Sequence, residues 1–178
     1  PVAAVAARVG DVYYTTLEAA VAAADNATVT VEGNIALGAK ITIPAEKTVT
    51  LDLNGKVVSM EDFVAGTSCM IENRGNLTIK DSAGEGKLTI KSTNVDTGEV
   101  PSYANNTISN YGTITVESGT IEHLGGTYMA YGIDSLTNGG IGDVNVTING
   151  CTVKSTYRGI RQFLNSTSKE NVLTINGG

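Results

Sequence analysis

Tryptophan is absent from this sequence, and other bulky side chains are scarce. Aromatic residues make up 5 % of the 178 residues, and there are only two phenylalanines, three prolines and one histidine. A globular core normally contains many large side chains, whereas a narrow stack of strands is filled by β-branched ones. Glycine occurs 21 times, and together with asparagine it suits the corners between short strands. The composition therefore favours an all-β solenoid, with 1–178 as a single domain.

Basic residues are few and scattered. There are 12 lysines and arginines against 18 acidic residues, which gives a net charge of −6. Nucleic-acid binding draws on concentrated basic surface, so we expect no nucleic-acid partner. No apolar run approaches the roughly 20 residues that cross a bilayer, so we expect no membrane insertion by this stretch of chain.

The two cysteines, Cys69 and Cys151, fall at different points of the repeat described below. Bridged cysteines need Cα atoms within about 7 Å of each other. Stacked strands lie about 4.8 Å apart, so a separation of two strands already exceeds that limit. We predict two unpaired thiols.

A strand of alternating apolar and polar residues, followed by a polar turn, recurs along the chain. The clearest copy is 48–59, TVTLDLNGKVVS. The apolar residues that precede the turns are Val31, Leu53, Ile79, Val116, Ile148 and Ile175, at intervals of 22 to 37 residues. The alternation predicts strands at 28–31, 40–43, 49–53, 77–79, 87–90, 113–116, 144–148 and 173–175, and a strand-like piece at 8–14. One such unit per coil predicts a solenoid over 28–178.

A second set of isoleucines supports the same register. Its members are Ile71, Ile108, Ile133 and Ile160. Each is followed by a residue that should point outward, which gives the series Glu72, Ser109, Asp134 and Arg161. We therefore expect Asp134 and Arg161 to be neighbours on adjacent strands. Asn73 and Asn110 come next, and we expect them to form a hydrogen-bonded stack.

One segment has helical rather than strand periodicity. Over 15–24, Leu17, Ala20, Val21 and Ala24 fall on one face. Thr15 with Glu18 three residues later fits a capping box. The narrow apolar face suits a lid over the open end of a strand stack. A membrane-surface helix is the alternative, but the segment has no lysine or arginine.

Insertions lengthen several of the turns. The longest is 93–106, and a loop of about fourteen residues without secondary structure is unusual in a compact domain. We predict a functional loop there, with plain tolerance of insertion as the alternative. Two further insertions, in 137–143 and 164–170, lengthen successive coils and should lie side by side on one flank.

The stretches VGDVYYTTLEAAVAAAD at 9–25 and IPAEKTVTLDLNGK at 43–56 resemble the beginning of large surface proteins of gut and oral bacteria. Those proteins carry pectin-lyase-like right-handed parallel β-helices and are described as adhesins or cell-surface proteins. The resemblance covers about 9–59. It implies a right-handed parallel β-helix of about six coils with an N-terminal capping helix. It also implies an extracellular location, at the bacterial surface or secreted, and a longer parent protein.

The wider β-helix superfamily includes polysaccharide lyases and glycoside hydrolases, so catalysis is a second hypothesis. Asp134, Arg161 and Glu72 would form its site, with Arg161 or Arg158 as base and calcium as the cofactor of a lyase. The simpler interpretation of Asp134 and Arg161 is an exposed salt bridge. We predict no resident metal and no catalytic role for His123, which we expect to be solvent-exposed.

Tyrosines give the better indication of binding, because sugars stack on aromatic rings beside hydrogen-bonding groups. The predicted ligand-binding residues are Tyr103, Tyr128, Tyr131, Asp134, Tyr157, Arg158 and Arg161. The function we expect is a non-catalytic adhesin-like module that binds glycans or host-surface molecules. A polysaccharide-degrading enzyme and a passive stalk are the alternatives. The open C-terminal edge would also permit self-association.

Overall fold

The computed structural model describes residues 4–61, 69–92, 105–125, 130–137, 142–163 and 170–178. Strands predominate within these ranges, as the composition predicted, and the described part of the chain has one helix. The elements are β1 (Ala7–Val9), β2 (Val12–Tyr14), α1 (Leu17–Ala23), β3 (Ala27–Val31), β4 (Ile35–Ala36), β5 (Ile41–Ile43), β6 (Thr48–Asp52), β7 (Val57–Glu61), β8 (Cys69–Asn73), β9 (Asn76–Lys80), β10 (Lys87–Ser92), β11 (Asn105–Asn110), β12 (Thr113–Val116), β13 (Thr120–Gly125), β14 (Ala130–Leu136), β15 (Val144–Ile148), β16 (Thr152–Ser155), β17 (Arg158–Phe163) and β18 (Asn171–Ile175).

Three sheets contain all of these strands, and from β3 onward every third strand joins the same sheet. Sheet A has the order β18-β15-β12-β9-β6-β3-β1-β2. Sheet B has the order β16-β13-β10-β7-β4, and sheet C the order β17-β14-β11-β8-β5. All pairings from β3 to β18 are parallel. The prediction of an all-β fold is thus confirmed, with parallel sheets as its main feature.

The register of sheet C agrees with the isoleucine series predicted from the sequence. Ile71, Ile108, Ile133 and Ile160 are paired in succession, and Ile41 extends the series by one strand. Ile71, Ile108 and Ile133 are fully buried. Residues at one register position therefore form continuous columns across the sheet.

The register predicted for sheet A is wrong at one place. Ile79 pairs with Leu51 and not with Leu53, whereas Ile79, Val116, Ile148 and Ile175 follow one another as predicted. Leu51 and Leu53 are two residues apart and are both buried. A slip of two residues keeps every side chain on its face, so alternation alone could not choose between them.

The N-terminal end of sheet A is covered by a hairpin and the helix. The strand-like piece predicted at 8–14 is two antiparallel strands, β1 and β2, with Gly10 in a left-handed conformation at the turn. Strand β1 pairs antiparallel with β3. The helix packs its buried Leu17, Ala20 and Val21 inward and contacts β1, β2, β3 and β5. The apolar face predicted from the sequence is confirmed.

The predicted capping box is wrong by one residue. Thr16, not Thr15, is the N-cap, with an extended backbone and a side-chain oxygen that accepts a hydrogen bond from the backbone N–H of Ala19 at 3.2 Å. Glu18 therefore occupies the first turn, where its charge favours the positive end of the helix dipole. The third helical position is Ala19, which cannot return the reciprocal bond of a capping box.

The opposite end of the stack exposes side chains that are buried one strand earlier. Ile148 on β15 is 3 % exposed, whereas its partner Ile175 on β18 is 62 % exposed. Leu173 on β18 is likewise 39 % exposed, whereas its partner Val146 on β15 is buried. Among the described strands, β16, β17 and β18 each have a neighbour on one side only.

A candidate ligand-binding site on sheet C

Arg161 and Asp134 face each other on the last two strands of sheet C, as the sequence predicted. Strands β14 and β17 pair in parallel, with Tyr131 opposite Arg158 and Asp134 opposite Arg161. The guanidinium of Arg161 donates from Nε to Asp134 Oδ1 at 2.6 Å and from Nη2 to Oδ2 at 2.7 Å. This two-pronged arrangement is the strong geometry for an arginine and a carboxylate.

Aromatic rings surround the Arg161 guanidinium. Its central carbon lies 4.2 Å from the ring centroid of Tyr131 and 5.4 Å from that of Phe163. Tyr131 meets Tyr157 edge to face at 5.6 Å, and Arg158 lies over the Tyr157 ring at 4.9 Å. These five residues are connected by successive contacts in the order Arg158, Tyr157, Tyr131, Arg161 and Phe163. We call them the aromatic–arginine patch.

Asp134 lies beneath the patch with most of its hydrogen-bonding capacity used. Besides the two bonds from Arg161, Oδ2 accepts a bond from Asn106 Nδ2 at 3.0 Å. Asn106 Nδ2 also donates to Ser109 Oγ at 2.9 Å. The carboxylate therefore has three donors and is 1 % exposed. The expectation of an exposed salt bridge is wrong, because the side chain of Asp134 is 1 % exposed and that of Arg161 is only 20 % exposed.

The residues of the patch differ in their access to solvent. Tyr157 is 37 % exposed, Phe163 is 44 % exposed and Arg158 is exposed. Tyr131 is 2 % exposed, and burial raises the pKa of its hydroxyl. A ligand would thus meet Tyr157, Phe163 and Arg158 directly, while Tyr131, Asp134 and Arg161 hold them in place from below.

Phe163 and Asn106 belong to this arrangement but were not among the predicted site residues. Phe163 follows Arg161 by two residues on the same strand, so its side chain lies on the same face. Asn106 pairs with Tyr131 across sheet C. Strand alternation extended by one step from Arg161 would have indicated Phe163. Asn106 has no such signal, because it lies at the end of the long insertion.

Glu72 lies in the same column but in a different environment, two strands from Asp134 with Ser109 between them. Lys40 Nζ and Arg74 Nε both donate to its carboxylate, and Arg74 lies 5.0 Å from the ring centroid of Tyr111. Burial alone would raise the pKa of Glu72. The bonds and charges of Lys40 and Arg74 outweigh burial and leave that pKa below its ordinary value.

These environments bear on the catalytic hypothesis. A general acid needs a raised pKa to be protonated near neutral pH, and that of Glu72 is lowered. Burial alone would lower the pKa of Arg161, but the hydrogen bonds and charge of Asp134 outweigh burial and raise it. A guanidinium with a raised pKa is a poor base. Glu72 and Arg161 are thus suited to holding the sheet together rather than to moving protons.

Some predicted residues lie elsewhere. Tyr103, Tyr128 and most of the predicted functional loop 93–106 fall outside the described residues. His123 is described, and the expectation that it is solvent-exposed is wrong, because it is 1 % exposed. It pairs with Ile90 on β10, and this register places it in a column of core residues.

Neither Cys69 nor Cys151 forms a disulfide, as predicted, and both are buried. Within the described ranges, no group of three or more histidine, cysteine, aspartate or glutamate side chains is placed to hold a metal ion. In that same part of the chain there is no helix of the length and apolar character needed to span a membrane.

Comparison with protein-family models, with curated proteins and with solved structures finds no match to this chain.

Proposed function

We propose that this chain is a non-catalytic module that binds glycans through the aromatic–arginine patch. The observation that carries the proposal is the continuous series of contacts from Tyr157 through Tyr131 and Arg161 to Phe163, in which successive ring centroids and the guanidinium carbon lie within 5.6 Å of each other. Sugars are bound by apolar ring faces flanked by planar hydrogen-bonding groups. Tyr157 and Phe163 supply exposed rings, and Arg158 supplies exposed donors.

The proposed architecture is a right-handed parallel β-helix of about six coils, capped by α1. Two observations support it. The chain visits sheets A, B and C in the same order each time from β3 to β18, and the paired positions of sheet A recur at intervals of 22 to 37 residues. Such a stack is rigid and presents one column of side chains per register position, which suits a surface that displays a binding site.

A polysaccharide lyase or glycoside hydrolase is the second candidate, and the geometry favours it less. Asp134 accepts three hydrogen bonds beneath the patch, so little of its capacity remains for a proton, a water or a calcium ion. The lowered pKa of Glu72 opposes a role as general acid. A passive stalk is the third candidate, and it predicts that Tyr157 and Phe163 can be replaced without loss of any binding.

The proposed setting is extracellular, at a bacterial surface or secreted, and it follows from the resemblance of 9–59 to bacterial surface proteins. Glycans or host-surface molecules are the proposed partners. Self-association is a further proposed interaction, supported by the exposed Leu173 and Ile175 on β18 and by the single-sided pairing of β16, β17 and β18 among the described strands.

The test is binding of the purified chain to an array of mucin, host and plant glycans, with and without calcium. A Tyr157→Ser, Phe163→Ser variant removes the two exposed rings and leaves the buried Arg161–Asp134 pair intact. A Tyr13→Ser variant is the matched control, because Tyr13 is an exposed aromatic residue outside the patch. It lies on β2, the strand at the end of sheet A opposite to β18. Selective binding that the double variant loses and the control keeps supports the proposal. A blank array contradicts it.

A further inference from the structure

The aromatic–arginine patch carries an uncompensated positive charge on an acidic protein. Arg161 and Asp134 neutralise each other, which leaves Arg158 as the remaining charged member of the patch. Within the described residues, no carboxylate lies within salt-bridge distance of Arg158. The chain as a whole has a net charge of −6, so this local positive charge has the opposite sign to the overall charge.

The other arginines of the described chain have different roles. Arg8, Arg74 and Arg161 each donate to a carboxylate within 2.6 Å. Arg158 instead lies over the ring of Tyr157. A guanidinium held against an aromatic ring keeps its edge donors available and loses little freedom on binding. It is therefore positioned to bind an anion presented beside that ring.

We propose that the ligand of the patch is an anionic glycan, with Arg158 binding a carboxylate or sulfate substituent while the sugar lies against the exposed rings. This inference rests on the proposed function and adds the chemical class of the ligand. Strand β17 rises about 3.3 Å per residue, so the Cα atoms of Arg158 and Phe163 lie roughly 16 Å apart along it. That length accommodates more than one sugar unit, with the anionic group at the Arg158 end.

Arg158 is suited to this role and Arg161 is not. Two of the Arg161 nitrogens already donate to Asp134, and the rings of Tyr131 and Phe163 lie close to its guanidinium. An anion at Arg161 would compete with a buried carboxylate. Removing Arg161 would also leave Asp134 buried without its partner, so loss of binding in that variant would not distinguish recognition from damage. Substitution of Arg158 has no such effect on the pair.

The experiment compares polymers that differ only in charge. Dextran sulfate is paired with dextran, and polygalacturonate with its carboxyl-reduced form, each at low and moderate salt. The proteins are the native chain, Arg158→Gln and Lys154→Gln. Lys154 is an exposed cation on β16 of sheet B, so its substitution removes the same charge outside the patch. Thermal unfolding of each variant shows that the fold is kept.

We expect the native chain to prefer one or both charged polymers over their neutral counterparts. Arg158→Gln should bind the preferred polymer about five- to tenfold more weakly, whereas Lys154→Gln should bind it as the native chain does. Added salt should weaken binding of the native chain more than that of Arg158→Gln. Preference for dextran sulfate identifies sulfate as the substituent, and preference for polygalacturonate identifies carboxylate.

Three results would overturn the inference. In the first, charged and neutral polymers bind equally well and the Tyr157→Ser, Phe163→Ser double variant loses binding to both. This result would support glycan binding by the patch but would show that the ligand need not be anionic. Equal weakening by Arg158→Gln and Lys154→Gln would assign the effect to overall charge. Absence of binding to these four polymers and to the glycan array would contradict the proposed function itself, and the inference with it.

Discussion

Arg161 on β17 and Asp134 on β14 form a two-pronged ion pair whose carboxylate is buried and whose guanidinium lies against Tyr131. Buried pairs of this kind are costly to break from one side, because the remaining charge loses its partner. The pair thus fixes the last two strands of sheet C relative to each other. It also fixes the tyrosine and phenylalanine rings that pack on it.

Substitution of Arg161 by alanine should destabilise the fold by about 3–5 kcal/mol, since it leaves Asp134 buried with Asn106 as its remaining side-chain donor. The measurement is the free energy of unfolding in urea. Arg8→Ala is the matched control. Its partner is Glu32, both side chains are more exposed, and the loss should stay below about 1 kcal/mol. Equal losses in the two variants would mean that Asp134 is not buried as described.

Gly112 should tolerate no side chain, because successive turns stack on one another there. A Cβ atom at Gly112 would lie 2.3 Å from the carbonyl oxygen of Gly75 in the turn before it. Gly112→Ala should therefore cost about 1–3 kcal/mol, measured by thermal or urea unfolding. Gly38→Ala is the control, since a Cβ atom there meets nothing within 4 Å. A neutral Gly112→Ala would contradict the stacking of these turns.

Asp52 should make the protein sensitive to acid. Burial alone would raise the pKa of its carboxyl, but hydrogen bonds from the backbone of Ser82 and Asn54 and the charge of Lys80 outweigh burial and lower it below 3.8. A lowered folded-state pKa stabilises the fold above the unfolded value, and that stability is lost as pH falls below about 4.

The test is Asp52→Asn, compared with the native chain by urea unfolding at pH 7 and pH 3. The variant should be about 1 kcal/mol less stable at pH 7, and the difference should shrink at pH 3, where the Asp52 carboxyl of the unfolded native chain is protonated. Asp25→Asn, at an exposed position, should differ little from the native chain at either pH. A constant difference between Asp52→Asn and the native chain across this pH range would contradict the assigned cause.

The thiol of Cys151 should react slowly in the folded protein. Burial raises its pKa to about 11, and the thiolate is the reactive form. Cys69 is also buried. With a coloured thiol reagent at pH 8, we expect slow reaction of the native protein and rapid reaction of two thiols after denaturation. Rapid reaction of Cys151→Ser in the native state would assign the accessible thiol to Cys69 and contradict its burial.

Much of the strand pattern was predictable, because alternation of β-branched and polar residues directly reflects which face is buried. The isoleucine column of sheet C and the Asp134–Arg161 pairing follow from it. The partner of Ile79 could not be predicted from the alternation, since Leu51 and Leu53 lie on the same face and only the lengths of the turns distinguish them. The alternation shows on which face of the sheet a side chain lies. It does not distinguish between partners on the neighbouring strand that are two residues apart, because both lie on the same face.

The sequence was a better guide to which residues lie on the strands of the site than to which of them are buried. Asp134 and His123 appear as polar residues on strands, which are ordinarily exposed, and both are buried. The Asp134 carboxylate is bound by Arg161 and Asn106 from the two neighbouring strands, and those contacts depend on side-chain conformations. His123 is buried because it is in register with Ile90. Neither cause can be read from local sequence.

The structure also changes which variant is informative. Tyr131 is 2 % exposed and packs on Arg161, so replacing either residue would disturb folding and binding together. Tyr157 and Phe163 present exposed rings, and serine at these positions removes binding surface at little cost to the core.

The most direct test of the account is therefore isothermal titration calorimetry with whichever glycan the array selects. It compares the affinities of the native chain, of the double variant Tyr157→Ser, Phe163→Ser, and of the control Tyr13→Ser. Loss of two exposed aromatic contacts should weaken binding by about 2 kcal/mol, or roughly thirtyfold, while Tyr13→Ser binds as the native chain does. Unchanged affinity in the double variant, with its fold intact, would show that the aromatic–arginine patch is not the binding site.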